Sequence, residues 1–74
     1  MRYRQIIVDG SPVGVQGLDE IFADLRRQGC TPQEEGLGSE IVTRLNEDNY
    51  IPYGAQELYA VAFVREYAAF LARE

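Results

Sequence analysis

The side chain with the most reactive chemistry belongs to Cys30, the single cysteine, in the stretch GCTPQEE. A thiolate is stabilised by unpaired N–H groups at a helix start, and Thr31-Pro32 just after Cys30 reads as such a start. The chemistry would be that of a redox-sensitive or metal-loading thiol. The stretch lacks the second cysteine of a C-x-x-C pair and the chain has no histidine, so an ordinary small loop residue is the stronger reading. Carboxylates Glu34, Glu35, Glu40, Glu47 and Asp48 gather around the same segment. They follow no EF-hand spacing, and acids near a helix start are explained by capping and the helix dipole, so a solvated face is favoured over a cation site. Paired-carboxylate glycoside chemistry fares no better.

Other mechanisms lack their residues. All seven basic residues are arginines. Without histidine there is no ordinary triad base or imidazole ligand, and without lysine no Schiff base or phosphate-loop lysine. Gly10, Gly14 and Gly17 fit neither the G-x-G-x-x-G nor the G-x-x-x-x-G-K spacing. The expectation is a protein that is not an enzyme and holds no cofactor or metal.

Twelve acids against seven arginines give a net charge of −5, and the arginines are scattered, so nucleic acid is not an expected partner. The apolar run Ile6-Ile7-Val8 is too short for a secretory signal or a membrane span. These features, with one cysteine and no disulfide framework, predict a cytoplasmic protein away from membranes. At 74 residues the chain is expected to form one domain, 1–74, with a marginal core. Such a domain hides only about 60% of the surface of its unfolded chain, so burial between two copies would add useful stability.

The elements follow from the hydrophobic pattern. Residues 2–16 read as a β-hairpin with a four-residue loop from Asp9 to Pro12, because a turn at Gly10-Ser11 would ask Pro12 for an N–H it lacks. Val8 then faces Val13 and Ile6 faces Val15 on the core side, while Ile7 lies opposite Gly14 on the outer side with Tyr3 and Gln5. A 3.6-residue period predicts a first helix over 17–28 with Leu18, Ile21, Phe22 and Leu25 inward and Gly29 as its cap. Thr31-Pro32-Gln33-Glu34 has the form of a capping box for a second helix carrying Leu37, Ile41, Val42 and Leu45 on one face. Gly36 and Gly38 weaken its first half, which either frays or forms a separate turn, with Ser39 as the fallback N-cap.

The elbow Asn49-Tyr50-Ile51-Pro52-Tyr53-Gly54 comes next. Asn49 suits a left-handed cap and Pro52 stops the second helix. Tyr50 and Ile51 are read as a plug for the open end of the core with Tyr53 on the surface; the competing reading makes both tyrosines a recognition surface. The third helix, over 55–74, is apolar around nearly its whole circumference, so it must be covered by the rest of the domain or by a second copy. Arg65-Glu66 at its middle argues against a bilayer.

The segments IIVDGSPVGVQGLDEIF, EEGLGSEIVTRL and NYIPYGAQELYAVAFVREY together resemble a family of short uncharacterised proteins of anaerobic bacteria and archaea, over nearly the whole chain. Asp48 stands where that pattern has an aromatic, and Tyr53-Gly54 where a second proline is common. The resemblance implies no activity and transfers no functional residue.

The reading is therefore an α+β domain of order ββααα, acting as an interaction or accessory protein that self-associates or binds another protein. Its candidate contact residues are Tyr50, Tyr53, Tyr3 and Ile7. The alternative is a redox or metal-handling partner that uses Cys30.

Overall fold

In the computed structural model, which describes residues 3–47 and 49–73, a two-stranded antiparallel hairpin is followed by three helices in the order ββααα. Arg2, Asp48 and Glu74, on which parts of the sequence reading fall, lie outside the described residues. Strand β1 spans Tyr3–Val8 and β2 spans Ser11–Gln16. The turn between them differs from the expected loop. It has two residues, Asp9 (φ 51) and Gly10 (φ 78), both left-handed. That is the type I′ geometry whose twist matches the flanking strands, and Asp-Gly is among the sequences that form it most readily.

Ser11, not the expected Val13, therefore pairs with Val8, and the register becomes Ile7 with Pro12, Ile6 with Val13, Gln5 with Gly14 and Arg4 with Val15. The slip from the expected pairing is two residues, so each side chain keeps its face. Ile6, Val8 and Val15 are buried, and Tyr3 and Ile7 lie outside. Gly14 is crossed by the ring of Tyr3, not by Ile7 as expected; a Cβ there would collide with that ring.

Helix α1 spans Leu18–Arg27, with Leu18, Phe22 and Leu25 buried and Ile21 packed at the core's margin. It closes with a Schellman motif at Gly29: Gly29 N–H donates to Arg26 O and Cys30 N–H to Leu25 O, each at 3.0 Å. The capping box does not open α2. Residues 31–36 form separate turns, with Glu34 N–H on Thr31 O at 3.2 Å and Leu37 N–H on Glu34 O at 3.3 Å. Gly36, at φ 82, is the N-cap, and α2 spans Leu37–Leu45. A left-handed residue cannot continue a right-handed helix, so local capping chemistry at Thr31 loses to the backbone at Gly36. Ser39 is inside α2, where its C=O accepts from the Thr43 hydroxyl at 3.0 Å.

Gly38 marks the closest approach of α2 to helix α3, Gln56–Ala72, which follows a 3₁₀ turn at Tyr53–Ala55. A Cβ at Gly38 would stand 2.9 Å from both the Cβ and the carbonyl oxygen of Ala60. The predicted inward face of α2 is observed, with Leu37, Ile41, Val42 and Leu45 all buried. The centre of the core is aromatic: Phe22 lies 5.3 Å from Tyr67 and 5.4 Å from Phe70, centroid to centroid. Full burial of such a side chain contributes roughly 1.5–3 kcal/mol. Phe22, Phe63 and Tyr67 are completely buried.

Ion pairs tie the elements together at the rim. Arg4, on the inner face of β1, donates to Asp19 at 2.8 Å and Glu66 at 2.9 Å, joining the hairpin to both α1 and α3. Arg44 of α2 donates to Asp24 of α1 at 3.0 Å.

Candidate functional site

Cys30 sits half-buried at the end of the Schellman turn, and both of its main-chain polar groups are engaged. Its N–H is bonded to Leu25 O, and its C=O accepts the hydroxyl of the buried Tyr67 at 2.8 Å. The helix start expected beside it is absent, and with it the N–H groups that were to stabilise a thiolate. Burial pushes the thiol pKa up, and the negative charges of Glu34 and Glu40 push it further the same way. A raised pKa keeps the thiol protonated at neutral pH, the reverse of what a reactive cysteine needs.

The carboxylates are engaged with arginines or spread over the surface. Asp24 accepts from Arg44, Arg27 and Gln28, and the hydrogen bonds from Arg44 and Arg27 hold its pKa below the usual carboxylate value. Glu40 pairs with Arg44 at 3.1 Å. Among the described residues no group of three or more cysteine or acidic side chains is placed to hold a metal ion.

The elbow divides its tyrosines from its isoleucine. Ile51 is buried in the core, as expected of a plug. Tyr50, expected to share that role, is 86% exposed, and Tyr53 is 89% exposed. Asn49 explains why Tyr50 stays outside. Its backbone is not left-handed as predicted. Its side-chain amide instead works as a clamp: Oδ1 accepts Gln16 N–H at 2.8 Å, while Nδ2 donates to Gln16 O at 2.9 Å and to Leu45 O at 3.1 Å. One amide thus satisfies the end of β2 and a C-terminal carbonyl of α2, anchoring the chain one residue before Tyr50 and two before Ile51.

Ile7 belongs to a different surface. Its side chain is 54% exposed and lines a groove of about 190 Å³ together with Leu58, Val61, Ala62 and Arg65 of α3. Leu58 is 46% and Val61 59% exposed. On the other side of Val61 a shallow hollow of about 390 Å³ is bounded by Pro32, Leu37, Ala60 and Val64. A third hollow, of about 260 Å³ between α2 and α3, is more polar, with Ser39, Thr43, Asn46, Gln56 and Glu57 in its walls.

Of the four candidate contact residues, all exposed, Ile7 alone joins a wider apolar surface. Tyr3 lies toward the opposite end of β1 over Gly14, and Tyr50 and Tyr53 flank the elbow. Leu58 and Val61 were not singled out by sequence reasoning beyond their place in an all-round apolar helix. Their spacing of three, shared by Val64, was the available signal, since residues three apart lie along one side of a helix.

No described helix is long and apolar enough to cross a membrane. The chain matches no family model, no curated protein and no solved structure, so the resemblance drawn from its motifs gains neither a family nor an activity from comparison.

Proposed function

We propose that the protein is a small non-enzymatic interaction protein that self-associates through the outward side of α3 and the neighbouring outer face of the hairpin. The observation that carries this reading is the continuity of Ile7, Leu58 and Val61 along one groove. Three large aliphatic side chains side by side, each about half exposed, form the kind of apolar surface that a second chain covers in an interface. A domain this small gains proportionally more from such burial than a large one. A single cysteine, with no second one to pair with in the chain, suits a reducing compartment such as the cytoplasm.

Sedimentation equilibrium over a wide concentration range tests the reading. A reversible dimer is expected, and Val61→Glu, which puts a charge at the middle of the apolar surface, is expected to weaken it. A monomer at the highest concentration reached overturns it.

A further inference from the structure

The two edges of the hairpin are not alike. In an antiparallel ladder alternate residues direct their N–H and C=O groups toward the partner strand, and the others direct them outward. The two-residue turn makes Val8 and Ser11 an inward-bonded pair, so Ile7, Gln5 and Tyr3 point outward from β1, and Pro12, Gly14 and Gln16 point outward from β2. The bond from Gln16 N–H to Asn49 confirms this parity.

The outward edge of β2 is closed at two of its three positions. Pro12 has no N–H to offer, and both polar groups of Gln16 are taken by the Asn49 amide. Proline and side-chain cover are the usual means by which an edge strand is kept from pairing. The outward edge of β1 has neither. Among the described residues no hydrogen bond is made to the outward groups of Tyr3, Gln5 or Ile7, and all three residues are exposed.

We infer that β1 pairs with β1 of a second copy, antiparallel about a two-fold axis at Gln5, to make a four-stranded sheet. This rests on the self-association reading above and specifies its geometry. The register follows from the open groups: centring on Gln5 sets Gln5 against its own copy and Tyr3 against Ile7 of the other chain, so all three outward positions of each strand are used. Centring on Ile6 would engage two. The same register places an aromatic directly across from a β-branched side chain, twice by symmetry, a favourable cross-strand pair. Ile7, one of the three outward positions, also lines the groove with Leu58 and Val61, so the paired edge and the apolar groove are continuous.

Two variants test the pairing, and both are read beside the unmodified chain by sedimentation. Gln5→Pro removes an outward N–H while leaving the inward ladder intact, as Pro12 already does in β2; the dimer dissociation constant is expected to rise about 30-fold or more, with circular dichroism unchanged. Gln5→Cys, in a Cys30→Ser background, puts two thiols across the axis at a Cα separation of about 5.5 Å, within disulfide range. Oxidation is expected to give a covalent dimer, while Glu20→Cys on the exposed face of α1 gives none. If the unmodified chain dimerises but Gln5→Cys does not cross-link, edge pairing is overturned and self-association stands. A persistent Gln5→Pro dimer has the same consequence. If the unmodified chain is monomeric throughout, both proposals fall.

Discussion

Helix α3 carries large apolar side chains on two sides, and they have opposite fates. Inward, Phe63 and Tyr67 are completely buried and Ala62 nearly so; outward, Leu58 and Val61 are about half exposed. Hydrophobicity along the helix does not distinguish them, because the apolar residues encircle it. What differs is what each side meets. Phe63 lies edge-on to Tyr59 at 5.9 Å and Tyr67 lies against Phe22, whereas Val61 meets only groove on either flank. A side chain contributes to stability through contacts it has, not through its type.

The largest effect that could break this contrast is at its centre. At a protein concentration where the chain is monomeric, Phe63→Ala is expected to cost about 3–5 kcal/mol in urea unfolding, while Val61→Ala changes stability by no more than about 0.5 kcal/mol. Similar losses at both sites would show that Val61 is covered in the monomer. Next is the seam that holds the inner side in place. Gly38→Val forces a side chain into the backbone of Ala60, and a loss of about 1–3 kcal/mol is expected, against almost none for Gly54→Ala, where a Cβ meets open space.

A smaller effect separates the tyrosines. Tyr67→Phe removes the hydrogen bond to Cys30 O and should lower stability by about 1 kcal/mol, whereas Tyr53→Phe leaves the melting temperature unchanged. Burial, aided by Cys30 and Glu34, raises the pKa of Tyr67. A raised pKa favours the folded state fully below the unfolded value of about 10 and loses that contribution as pH rises through the folded value. Alkaline destabilisation above about pH 10 should therefore be reduced in Tyr67→Phe.

The smallest effect belongs to the rim. Asp24, held below the usual carboxylate pKa by Arg44 and Arg27, contributes stability above about pH 4 and loses it as pH falls through its depressed value. Asp24→Asn should flatten the acid limb of the stability profile without altering the midpoint at neutral pH by as much as Tyr67→Phe does. A larger neutral effect for Asp24→Asn would shift weight from the inner side of α3 to the ion pairs.

Much of the fold was legible where local pattern governs it. Alternation in β1 and β2 sorted Ile6, Val8 and Val15 from Tyr3 and Ile7 even though the register was displaced, because a slip of two preserves faces. The stripe Leu37, Ile41, Val42, Leu45 was also readable. The opening of α2 was legible in part: the glycines marked its first half as weak, with a separate turn as one outcome, and that turn is what forms, while the capping box pointed to an earlier start. A sound capping sequence at Thr31 was overruled by Gly36, whose left-handed backbone no local rule required there. The candidate surface was legible only in part: the exposure of Tyr3, Ile7 and Tyr53 followed from pattern, but Tyr50 was assigned to the core. Its exposure depends on Asn49 reaching a strand 33 positions away.

The sequence by itself determined the order ββααα, the inner faces of the hairpin and the first two helices, and a break between the second and third helices, although α2 ends at Leu45, ahead of Pro52. Each of these follows from residues within a few positions of one another, where periodicity and turn chemistry operate. Only the tertiary structure decided which side of α3 is inside, that Asn49 clamps the end of β2, and that Tyr67 closes on Cys30. A helix apolar all round carries no internal preference for one face. The choice is made by Phe22, Gly38 and the hairpin, which stand far along the chain and meet α3 only when the core forms.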